Sequence, residues 1–196
     1  MKKLLLTAVC VIALALGVSA QVPTPFSLYA GGALSLPTAP DGFKDGYKTG
    51  YHGLAGLGYK FGPAFQVVGK AEYHKFAFDF GGITGLDGGD SRMLMFGGDG
   101  RFAFGLPTAS IKPFAFAGAG LANIQQSSFG GNLLLAAGFT PTSTESLNKM
   151  YYNFGAGVEM KVGPTMNLFV QGRYVNVATE GEGTAFIPIT LGLKFF

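Results

Sequence analysis

The chain has no tryptophan, and its one cysteine, Cys10, sits in an apolar run near the start. Disulfides therefore do not hold the remainder together, even in an exported compartment that would permit them. Charge is scarce too: charged residues make up 13%, and the formal net charge of +3 falls to +1 once Lys2 and Lys3 are set aside. A balance so close to neutral removes the electrostatic footprint of a nucleic-acid binder. The only histidines are His52 and His74, too few for a zinc site that wants three or four convergent ligands. Gly118-Ala119-Gly120 is not followed by the Lys-Ser/Thr pair of a phosphate loop, and no cofactor is implied. No segment after residue 20 approaches the ~18 uninterrupted apolar residues of a spanning helix, so any membrane crossing must be made by strands.

The start of the chain reads as a secretory signal peptide. Lys2 and Lys3 precede an apolar run from Leu4 to about Val18, and Val18-Ser19-Ala20 supplies the small residues of a cleavage site before Gln21. Residues 1–20 are the expected signal. Residues 21–196 form one domain, since no Pro-rich or Ser-rich linker interrupts them.

Glycine and phenylalanine are abundant instead, 32 and 19 residues, a bias that suits crowded barrel interiors and lipid-facing strands. Period-two alternation recurs along the whole domain. The first strand is expected at about 26–36, ending at Leu36-Pro37, and the polar stretch 38–49 as an exposed loop. The second, about 50–61, sets Tyr51, Leu57 and Tyr59 against His52 and Lys60; the third, about 64–78, sets Phe65, Val67 and Tyr73 against Gln66, Lys70, Glu72 and His74. In the fourth, about 91–104, Leu94, Phe96, Phe102 and Phe104 oppose Met93, Met95, Asp99 and Arg101. The fifth, about 111–122, is apolar in both phases; the size of Phe114 and Phe116 favours placing them toward lipid, with the intervening alanines filling the interior. The sixth, about 151–162, turns Tyr151, Asn153, Glu159 and Lys161 inward, and the seventh, about 166–177, turns Asn167, Gln171 and Arg173 inward. Connections after the second, fourth and sixth strands are short and contain proline, whereas those after the first, third and fifth are long. They sort onto opposite ends of a barrel, the long ones outside and both termini in the periplasm. Tyr51, Tyr59, Phe61, Phe102, Phe104, Tyr152 and Tyr174 fall near strand ends, where aromatic girdles are expected.

The last strand, Ala185 to Phe196, places Ile187, Ile189, Leu191, Leu193 and Phe195 on one face and Thr190, Gly192 and Lys194 on the other. A strand left at an open edge invites aggregation, and pairing the last strand with the first removes it. This terminal strand resembles the assembly signal of bacterial outer-membrane β-barrels, and the domain resembles the small OmpA-like and OmpX-like barrel domains. The resemblance implies an all-β, eight-stranded antiparallel up-and-down transmembrane β-barrel in the outer membrane. It also implies Leu193, Phe195 and Phe196 as the assembly signal, and outer-membrane lipid and the barrel-assembly machinery as partners. The periplasmic peptidoglycan-binding domain of larger OmpA-type proteins has no counterpart here.

An eight-stranded barrel is just wide enough for side chains to fill it. Lys70, Glu72, His74, Asp99, Arg101, Glu159, Lys161 and Arg173 are therefore expected to cross-pair inside it, because an unpaired charge there is costly. The reading is a non-enzymatic barrel with a structural or surface-interaction role and an extracellular ligand taken by the loops. Leu133, Leu134 and Leu135 are the candidate loop contact. The alternative is a narrow pore or a binder of small hydrophobic molecules. A lipid A-modifying enzyme is third: neither histidine has a serine two residues along, although distant residues converge in catalytic triads.

Overall fold

The computed structural model describes residues 25–81, 87–105, 109–127, 129–130, 146–179, 181 and 183–195. The signal segment, Leu133 to Leu135 and Phe196 lie outside them. Eight strands form: β1 (Phe26–Ala39), β2 (Gly50–Lys60), β3 (Phe65–Phe76), β4 (Ser91–Ala103), β5 (Ile111–Gln126), β6 (Ser146–Lys161), β7 (Met166–Val177) and β8 (Thr184–Phe195). Each pairs antiparallel with its sequence neighbours, and β1 pairs with β8, from Leu28 opposite Phe195 to Leu36 opposite Ile187. Closure leaves no strand edge, so the ladder satisfies backbone groups that hydrocarbon could not.

Alternation decides which side chains enter. Along β3 every second residue from Gln66 to Phe76 is buried, while Phe65, Val67 and Tyr73 are exposed. Large apolar side chains such as Leu57, Phe96, Phe154 and Leu191 are more than half exposed, an arrangement stable only against lipid. At the short-turn end Phe26, Tyr59, Phe61 and Phe65 form a chain of ring contacts, centroids 4.9–6.0 Å apart, and Phe102 meets Phe104 at 5.2 Å. This is the expected aromatic girdle at that end.

Three expectations are corrected. Strand β1 does not stop at Leu36-Pro37: Pro37 stays in the ladder opposite Phe186, followed by a register shift before Ala39, the kind of irregularity at which a strand accommodates proline. The stretch after it is not simply an exposed loop, because Asp41–Gly46 forms a short helix, α1, with Phe43 buried. Strand β5 faces the opposite way from the side-chain-size argument: Phe114 and Phe116 are 2% and 6% exposed, and Ala117 faces outward. The reason is glycine. Gly118 and Gly120 share the phase of the two phenylalanines, and a Cβ on Gly120 would run into the backbone of Phe96 and Gly97 and the ring of Tyr151. Only glycine permits that approach, so this phase must be the inward one.

Either side of the connection between β5 and β6 the strands extend past the sequence-expected ends at about 122 and 151, since 123–126 and 146–149 continue them. Asn123 and Asn148 are opposite each other there, joined by a 2.8 Å side-chain hydrogen bond. The long connections are tied together at the backbone. Lys48 donates to Ala77 and Asp79 to Gly46, and Asp87–Gly88 pairs with Phe129–Gly130.

Candidate functional site

The interior is layered along the barrel axis, and each layer follows from where its strand residues fall in register. Nearest the short-turn end is a compact polar group. Glu159 of β6 contacts the Lys194 ammonium of β8 at 2.9 and 3.0 Å and Arg101 of β4 at 3.4 Å, and it accepts a hydrogen bond from Asn167 of β7. Above it lies an apolar layer of Tyr29, Val68 and Phe169. It is joined to the charges through Arg101, whose guanidinium lies 5.2 Å from the Tyr29 and 5.7 Å from the Phe169 ring centroid and stacks on Phe114 at 3.5 Å, within the range of cation–π contacts.

The second polar layer sits mid-barrel. Lys70 contacts Asp99 at 2.7 Å, Arg173 contacts Glu72 at 2.5 Å, and Lys70 and His74 approach Glu72 at 4.0 and 3.8 Å. Asn153 donates to Asp99 and accepts from Lys70. Beside this group Ser35 Oγ lies 3.1 Å from His52 Nδ1 and 3.0 Å from His74 Nδ1, and His52 Nε2 lies 3.0 Å from Thr190 Oγ1. The imidazoles stack with centroids 5.0 Å apart.

Of the eight charges named from sequence, Lys70, Glu72, His74, Asp99 and Arg173 meet in the middle layer, and Arg101 and Glu159 meet in the lower one. Lys161 joins neither: it is the exposed last residue of β6. Lys194 holds Glu159 instead, and its phase with Thr190 on β8 was the signal that pointed to it.

Above the middle layer the interior turns apolar. Phe43 of α1, Phe76, Met93, Met95, Ala122, Ile124, Tyr151, Val175, Val177 and Phe186 form one buried cluster. Phe43 meets Phe76 at 5.1 Å and Phe76 meets Phe186 at 5.4 Å, both edge to face. Charges thus fill only part of the interior, and toward the long-loop end the described interior is packed with hydrocarbon and aromatic rings.

Ser35, His74 and Glu72 together have the composition of a hydrolytic triad, drawn from residues distant in sequence. Their setting opposes that chemistry. Ser35 and His74 are 0% exposed and Glu72 is 1% exposed, and the apolar cluster separates them from the outer face. A nucleophile needs room beside it for a reacting carbonyl, and the hydroxyl here is occupied by two imidazoles.

The fold is shared by solved structures of low sequence identity. Neisserial surface protein A matches with a TM-score of 0.63 at 14% identity, covering 88% of this chain and 97% of that one. OprG from Pseudomonas aeruginosa matches with a TM-score of 0.60 at 14% identity, covering 87% and 94%. Ail, the attachment invasion locus protein of Yersinia pestis, matches with a TM-score of 0.52 at 18% identity, covering 88% and 99%. The comparison with curated protein sequences finds no match. The family model described as outer membrane protein beta-barrel domain matches residues 6–195, and the chain, a closed eight-stranded barrel with an apolar outer surface, belongs to that family of bacterial outer-membrane proteins.

Proposed function

We propose that this protein is a closed barrel with a structural or surface-interaction role, carrying its contacts on the segments at the long-loop end. The observation that carries this reading is the apolar cluster from Phe43 to Phe186 stacked over the middle charge layer. An ion passing that level would shed its hydration into hydrocarbon, and the desolvation cost of a charge there is several kcal/mol or more. The cross-linking of α1 to the chain after β3, and of Asp87–Gly88 to Phe129–Gly130, gives the outer end a fixed backbone on which contacts can be built. Leu133 to Leu135 are the proposed apolar element of that surface. Residues 1–20 act as the export signal in this reading. Leu193, Phe195 and Phe196 act as the segment recognised by the assembly machinery, with Leu193 and Phe195 ending at the β1–β8 seam opposite Ala30 and Leu28.

Single-channel recording of the mature chain refolded in a planar bilayer tests the closed barrel, with folding verified by heat-dependent gel mobility. Silence from folded protein is the expected result. Discrete openings would overturn the reading and make the layered charges an ion path.

A further inference from the structure

At the short-turn end the barrel keeps a cavity of about 280 Å³, room for roughly nine waters at ~30 Å³ each. The turn residues Gly62 to Ala64 form part of its wall, so it faces the aqueous phase on the side of the termini. Lys60, Arg101, Lys112 and Lys194 line it against Glu159, the one carboxylate among the described lining residues. Glu159 is already engaged by Lys194, Arg101 and Asn167. Lys112 lies opposite Glu159 in the β5–β6 register, yet forms no ion pair among the described residues. Gln66, 6% exposed, lines the same cavity. Its Oε1 accepts from the Tyr29 hydroxyl at 2.6 Å, and its Nε2 is shut off from the cavity, packed against Gly58 of β2.

We propose that this vestibule binds a small phosphate-bearing anion, with Arg101 and Lys112 as its cationic contacts. Gathering basic side chains in a recess of reduced dielectric raises their mutual repulsion, and an anion in the recess converts that repulsion into attraction. The ligand class follows from the donors. A guanidinium presents five N–H groups in a fixed fork. The contacts of Arg101 with Glu159 and with the Tyr29 hydroxyl, and the stacking of its face on Phe114, leave further N–H donors for a multi-oxygen anion. Lys112 adds a mobile point charge. Phosphate oxygens, spread around one centre, can meet both from within a cavity of this size. The source is either a soluble phosphate compound or the head group of an inner-leaflet phospholipid, and the chemistry is the same for both.

The test is isothermal titration of inorganic phosphate into the full mature chain, refolded in alkyl-maltoside micelles, which carry no phosphate, in phosphate-free buffer, with chloride at matched ionic strength as reference. Saturable phosphate binding is expected, weakened at least tenfold in Lys112→Gln and unchanged in Lys44→Gln on α1. Lys112→Arg keeps the charge and should retain binding, and each variant is first checked for heat-dependent gel mobility. Micelles doped with phosphatidylglycerol separate the two sources. Loss of phosphate binding there assigns the site to lipid head groups, unchanged binding assigns it to soluble phosphate, and either supports the site. The proposal is overturned by an absence of saturable binding, by an equal response to chloride, or by an equal loss in Lys44→Gln.

Discussion

The Arg173 guanidinium and the Glu72 carboxylate meet at 2.5 Å with both side chains fully withdrawn from solvent, on strands β7 and β3 that are not neighbours in the barrel. The contact crosses the interior and ties opposite walls together. Removing one partner leaves the other charged in a place with no water, and Arg173→Ala should cost about 3–5 kcal/mol. The lower end of that range is expected, because Lys70 and His74 remain within 4.0 Å of Glu72. Replacing both partners with apolar residues of similar volume, as in Glu72→Leu with Arg173→Met, should recover most of the loss. Urea unfolding of the three proteins in lipid vesicles measures this. A single variant within about 1 kcal/mol of wild type would show that the charge is not confined as the geometry implies.

Strand count, closure and nearly every facing were legible from alternation, because a barrel between lipid and a filled interior enforces period two on both sides of each strand. Tyr73 and Glu72, or Leu94 and Met93, declare their sides by chemistry. Strand β5 does not, since Phe114 and Ala115 are both acceptable to lipid and to the interior. There the deciding signal was the phase of Gly118 and Gly120 rather than the size of the phenylalanines. Pairing partners inside the barrel were not legible at all. Alternation says that Glu159 and Lys194 point inward, but only the register of β5 through β8 puts them at one height. The apolar plug was hidden for the same reason: Phe76, Met95, Val175 and Phe186 come from four strands, and the helix that adds Phe43 lies in a stretch whose composition reads as loop.

Glycine positions carry a separate prediction. A Cβ on Gly118 would overlap the Asp99 side chain and the Gly98 carbonyl oxygen on the adjoining strand, whereas a Cβ on Gly53 meets nothing within 4 Å. The backbone oxygen cannot move without breaking the β4–β5 ladder, so Gly118→Ala should lose at least about 1–3 kcal/mol by overpacking. Gly53→Ala should be neutral or gain up to about 1 kcal/mol, the usual advantage of alanine over glycine within a strand. Refolding yield and urea midpoints, compared side by side, decide the matter. Equal tolerance of the two substitutions would mean that β4 and β5 do not approach as closely as the register places them.

The outer surface predicts where the bilayer lies. Leu191 of β8 is 52% exposed at mid-barrel, facing the same way as Ile189. Asn148 of β6 also faces outward, but it sits beyond Tyr152 in a strand of 16 residues, longer than the ~9–11 needed to cross at a tilt. Its hydrogen bond to Asn123 marks this extension as lying in water or among head groups, since two outward amides have no reason to enter hydrocarbon. An arginine at Leu191 should therefore cost about 2–4 kcal/mol, and an arginine at Asn148 about 0–1 kcal/mol. Unfolding in vesicles gives both values under one condition. A reversed order would place the hydrocarbon band nearer the long-loop end, and similar small costs at both sites would mean that the apolar face around Leu191 is not set in lipid.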